Sequence, residues 1–124
     1  MKKFVGLTFH HNEFTVCLMD RKGIYSLIDF ELNNRSLIHL KNVLNTEDEV
    51  VVEQSRETQH FIDELKPFVN NVKVIKPFQF KIMSRVVKYT KENIAEVAAD
   101  FLRKGLIQEA KLQRKKAKLS LSLN

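Results

Sequence analysis

The chain has 124 residues, 44% hydrophobic and 29% charged, which is room for one domain whose core hides roughly two thirds of the unfolded surface. That composition excludes a disordered chain, and no apolar run approaches the ~20 residues of a membrane span. Three glycines leave no Walker or dinucleotide-binding loop, so those nucleotide enzymes are excluded. The lone Cys17 cannot form an internal disulfide, and the opening MKKFVGLTFHHNEF lacks the apolar core of a secretory signal, so a cytoplasmic protein is expected. The net charge of +6 is local. Residues 1–102 carry 14 basic and 14 acidic side chains, whereas residues 103–124 hold seven Lys and Arg against Glu109 alone.

Lys3–Phe9 is rich in β-formers and reads as a first strand, followed by a tight turn at His11-Asn12. Phe14–Met19 is a second strand with Phe14, Val16 and Leu18 on one face. Asp20–Gly23 is a hairpin loop in which Gly23 supplies positive φ, and Ile24–Leu32 is a third strand. The period then changes. Asn33 or Asn34 caps a helix over Leu37, Ile38, Leu40, Val43 and Leu44, and Glu49–Glu53 is a short buried strand. Ser55 is the expected N-cap of a helix through Phe61, Ile62, Leu65 and Phe68, ended or kinked at Pro67. Val72–Ile75 is a fifth strand. Pro77 starts another helical stretch through Phe80, Ile82 and Val86, and from Thr90 an amphipathic helix runs to a stop at Arg103, Lys104 and Gly105. The resulting class is α/β: three antiparallel strands, then alternating helices and parallel strands, the order of a ribonuclease-H-like domain.

Three blocks then resemble the DEDD-motif insertion-sequence transposases, whose first domain is RuvC-like. Val5, Gly6, Leu7, Phe14, Val16, Leu18 and Asp20 match the family's first hairpin. VVVEQSRETQHFIDELKP is similar to its strand ending in Glu with the helix that follows, and VKVIKPFQFKIMSRVVKYTKENIAEVAADFLRKGLI to its later strand, turn and helix. The resemblance, which spans about residues 4–107, implies a ribonuclease-H-like domain over residues 1–107, and the charge count leaves a basic tail over 108–124. The resemblance also implies four acids holding two Mg²⁺ ions at a phosphodiester. The positions of those acids fall on Thr8, Glu53, Lys91 and Ile94, so Glu53 alone is retained, unless a one-residue slip places Glu92 near the third position and leaves a site for some metal. A protonated Lys offers a cation no lone pair. No cofactor is therefore expected, and the reading is of a catalytically inactive domain. Family members continue into a second domain with a serine nucleophile, which leads us to expect a decayed or truncated relative here.

Other candidate chemistry is sparse. His10 and His11 are adjacent, so at most one faces Glu53, and turn histidines are the plainer reading. His39 and His60 read as surface residues and Cys17 as a core thiol. Phe78 and Phe80, among Lys76 and Lys81, superficially suggest base stacking, but helical spacing explains at least one of them as core, which is the plainer reading. Lys111, Arg114, Lys115, Lys116 and Lys118 are the expected nucleic-acid contacts, with a solvated tail as the plain rival. The expected partner is DNA or structured RNA, with no membrane. Two alternatives remain: a divergent metal-dependent recombinase or nuclease, and a dimerisation module using Leu106, Ile107, Leu112, Leu119 and Leu121.

Overall fold

The computed structural model describes residues 1–76 and 91–107, the side chains of 91–93 excepted. Within that range the chain alternates as read. Strands β1 (Phe4–His10), β2 (Glu13–Met19) and β3 (Tyr25–Glu31) form a meander, followed by helix α1 (Asn34–Val43) and strand β4 (Glu49–Glu53). Helix α2 (Thr58–Leu65), a 3-10 turn (Lys66–Phe68), strand β5 (Asn71–Ile75) and helix α3 (Lys91–Arg103) complete it. The helical stretch expected after Pro77, with Phe78 and Phe80, lies outside the described residues. So do the five basic positions Lys111, Arg114, Lys115, Lys116 and Lys118, and with them Leu112, Leu119 and Leu121.

The sheet has five strands in the order β3-β2-β1-β4-β5, with β2 antiparallel to its neighbours and β1, β4 and β5 parallel. Its register follows from the two turns. The His11-Asn12 turn, with Asn12 at φ 61°, pairs Thr8 with Thr15. The Asp20–Gly23 loop, with Gly23 at φ 90°, pairs Thr15 with Asp29. Asp20 braces that loop by accepting the Lys22 and Ile24 N–H groups at 2.8 and 3.0 Å.

Alternation along the strands divides the core into two layers. Val5, Leu7, Phe14, Val16, Val50 and Val52 face α1 and α2, which contribute Leu37, Leu40, Phe61 and Leu65. On this side the Phe14 and Phe61 rings meet edge to face, with centroids 5.0 Å apart. The opposite face is covered by α3. Ala98 and Leu102 pack on Val51 and Ile75, and Ala95 and Ala99 pack on Cys17 and Met19. Gly6 lets the helix settle directly on β1, because a Cβ there would collide with the Ala95 carbonyl and stand 2.9 Å from the Ala99 nitrogen.

The helix ends explain their own positions. Asn33 is the N-cap of α1 and its side chain accepts the Ser36 N–H at 2.8 Å. Gly105, at φ 71°, closes α3: its N–H reaches the Leu102 carbonyl at 3.1 Å while the Leu106 N–H reaches that of Phe101 at 2.8 Å. The expected Ser55 cap is corrected. Helix α2 starts at Thr58 with no side-chain cap. Ser55 and Thr58 form a turn before it, in which Thr58 Oγ1 accepts the Ser55 N–H and donates to the Glu53 carbonyl at 2.8 Å. Phe68, expected on the buried face of that helix, is 43% exposed in the 3-10 turn.

Candidate functional site

Thr8 and Glu53 come together at the carboxyl ends of the central parallel strands. The β1–β4 pairing ends at Leu7 and Val52, and Thr8 and Glu53 are the next residue on each strand. The Glu53 carboxylate extends the ladder by accepting the Phe9 N–H at 3.2 Å. Both side chains lie on the α3 side, by alternation with Gly6 and Val51. Open α/β sheets use this edge for ligands, because the loops leave it uncovered where the strand order reverses.

A polar row crosses the sheet here. Asp29 on β3, Thr15 on β2, Thr8 on β1 and Glu53 on β4 are successive cross-strand neighbours. Thr15 Oγ1 donates to Asp29 at 2.7 Å, and Thr8 Oγ1 lies 3.3 Å from His10 Nε2. Thr8 and Thr15 are fully buried, and Glu53 is half-buried. Burial pushes the Glu53 carboxyl above its ordinary range, against the opposing pull of the Phe9 N–H.

Among the described residues this donor set does not fit a two-metal centre. Asp29 and Glu53 stand three strand spacings apart, about 14 Å, too far to share an ion. A threonine hydroxyl stands beside Glu53 where the resemblance calls for a carboxylate. Among the described residues no three His, Cys, Asp or Glu side chains converge on a point that could hold a metal. Ile94 packs on the Val51–Ile75 cluster, so its side chain is part of the core beneath the helix. Lys91 is the first residue of α3, one turn before Ala95, and so on the Thr8 side of Gly6.

The remaining candidates resolve individually. His10 shares the Thr8 face while His11 sits exposed in the turn, as strand alternation requires. His39 and His60 are exposed on α1 and α2. Cys17 is fully buried, and burial, with help from Glu96 and Asp100, pushes its thiol up to about 12, which removes the thiolate a nucleophile needs. Ile107 packs on the cluster under α3, whereas Leu106 is 53% exposed.

Two features escaped the sequence reading. The Thr15–Asp29 pair was implicit in the turn positions, which set the register. The bond from Thr58 to the last carbonyl of β4 had no signal beyond a hydroxyl five residues downstream.

The sequence matches no known family model and no curated protein. Among the described residues no helix is long and apolar enough to cross a membrane. The fold and site therefore define a mixed α/β domain with a polar row at the carboxyl edge of its parallel strands.

Proposed function

We propose that this chain is a ribonuclease-H-like domain of the DEDD-transposase kind that binds DNA or structured RNA without cleaving it. The observation that supports the reading is the β3-β2-β1-β4-β5 order with β2 antiparallel, which is compatible with the strand order a ribonuclease-H-like domain would have. The adjacency of Thr8 and Glu53 on β1 and β4 supports it, since the first two acids of that family occupy neighbouring strand ends. Loss of cleavage follows from the donor set. Two-metal catalysis needs carboxylates on both sides of each ion, and here Glu53 stands beside a buried hydroxyl.

Binding would then rest on phosphate contacts rather than on catalytic machinery. Phosphate contacts hold a nucleic acid without reading its sequence, so little base preference is expected. The test is incubation of the pure protein with branched DNA in Mg²⁺ or Mn²⁺. Retarded but intact DNA is the expected result. Cleavage that disappears in Glu53→Ala would overturn the inactive reading in favour of a divergent recombinase or nuclease. A failure to bind at low salt would overturn the nucleic-acid reading itself.

A further inference from the structure

The end of the sheet opposite the Thr8–Glu53 row gathers cations that are far apart in sequence. Lys2 precedes β1, Arg21 and Lys22 lie in the β2–β3 loop, and Arg103 and Lys104 close α3. Lys2, Arg21 and Arg103 line one hollow of about 370 Å³ with Phe4, and Lys2 and Arg21 continue into an adjoining hollow of about 340 Å³. The arrangement is built rather than incidental. Gly23, at φ 90°, lets the Arg103 guanidinium lie 3.4 Å from where a Cβ would stand, and Arg103 donates to the Arg21 carbonyl at 3.4 Å. The Lys2 ammonium stands 5.3 Å from the centre of the Phe4 ring.

Local acids neutralise only part of this charge. Lys2 pairs with Glu49, while Arg103 and Lys104 share the single carboxylate of Asp100 at 2.6 and 3.0 Å. Asp20 is occupied by the loop N–H groups. Arg21 and Lys22 are exposed and make no ion pair among the described residues. Glu47, which lines the second hollow, pairs with the Met1 ammonium at 3.3 Å, so six cations, that ammonium included, face the four carboxylates of Asp20, Glu47, Glu49 and Asp100, leaving two positive charges in excess around the hollows.

We propose that Arg21, Lys22, Arg103 and Lys104, around the hollow lined by Lys2, Phe4, Arg21 and Arg103, form a phosphate-contact patch for a nucleic-acid backbone on the folded body. This rests on the nucleic-acid reading above and assigns it a surface. A guanidinium fork suits phosphate oxygens, and Arg21 and Arg103 both line the hollow. The Thr8–Glu53 row lies at the other end of the sheet and is not the contact.

The test is a salt titration of binding to a labelled DNA duplex in EDTA, comparing the full chain with the Arg21→Gln, Lys22→Gln double variant. Each lost phosphate contact makes the slope of log K against log salt shallower by about 0.9, so a change of about 1–2 is expected, with affinity at 0.1 M salt weaker by tens of fold. The substitutions lie in an exposed loop held by Asp20 and backbone bonds, so an unchanged melting temperature is expected. If it falls, Lys104→Gln reads the same slope from the helix end. Wild-type binding with an unchanged slope in these variants would overturn the patch and leave the nucleic-acid reading standing. No binding by the wild-type chain would overturn both. Equal binding of poly-glutamate, with the same sensitivity to the double variant, would overturn phosphate as the group recognised.

Discussion

Glu53 ends β4 with its carboxyl half-buried and accepting the Phe9 N–H of the neighbouring strand, and burial disfavours its charge. An acid whose folded pKa lies above its ordinary 4.5 binds its proton more tightly when folded. Its contribution to stability is therefore greatest in acid and is lost as pH climbs from about 4.5 through the raised value. Glu53→Gln keeps an oxygen for the Phe9 N–H and removes the buried charge. Melting curves from pH 4 to 8 should show the variant more stable at the alkaline end and flatter across the window. A variant less stable at pH 8 than the wild type would mean that Glu53 has a favourable charge partner. At Gly6 the constraint is steric. A methyl there meets the Ala95 carbonyl and the Ala99 nitrogen, both backbone atoms of α3, so the helix must lift from β1. Gly6→Ala should cost about 2 kcal/mol or more in urea unfolding, at the upper side of ordinary overpacking.

Among the elements, what was legible was what is periodic. β4 was bounded correctly because Val50–Val52, all fully buried, sit between two glutamates, and no other length of strand suits that pattern. The capping end of α1 was legible because Asn33 is followed at helical spacing by Leu37 and Leu40. Asn33→Ala should cost about 1 kcal/mol, readable by urea denaturation, because it leaves the Ser36 N–H without its acceptor. The start of α2 was misplaced for a physical reason. Ser55 has the chemistry of an N-cap, but Thr58 draws the turn back onto β4 by bonding the Glu53 carbonyl, and the helix begins only after that bond is made. Hydroxyl groups compete for backbone partners, and sequence spacing alone does not show which one wins.

At the scale of the whole molecule, the charge distribution was the least legible feature. Residues 1–102 balance by count, so composition assigns every excess charge to the last 22 residues. The fold redistributes it: Lys2, Arg21 and Arg103 meet across 101 positions of sequence because β1, the β2–β3 loop and the end of α3 share one end of the sheet. The polar row shows the same lesson in reverse. The sequence located Glu53 and Thr8, whereas Asp29 joins them only through the register of two hairpins. Composition could not reveal that this acid stands three strands from Glu53, where it cannot complete a metal site.

On the proposed reading, the domain binds nucleic acid through phosphate contacts and needs no divalent metal. Titration of the full chain against labelled branched DNA in EDTA, repeated across salt concentrations, tests it most directly. On the proposed reading, the five basic residues from 111 to 118 would reach three to five phosphates, which alone predicts a slope of log K against log salt between about −3 and −5, and the proposed body patch would steepen it further. The account predicts binding at low salt with a slope at least that steep, unchanged when Mg²⁺ replaces EDTA. Absence of binding at low salt, or binding that appears only with Mg²⁺, would contradict it.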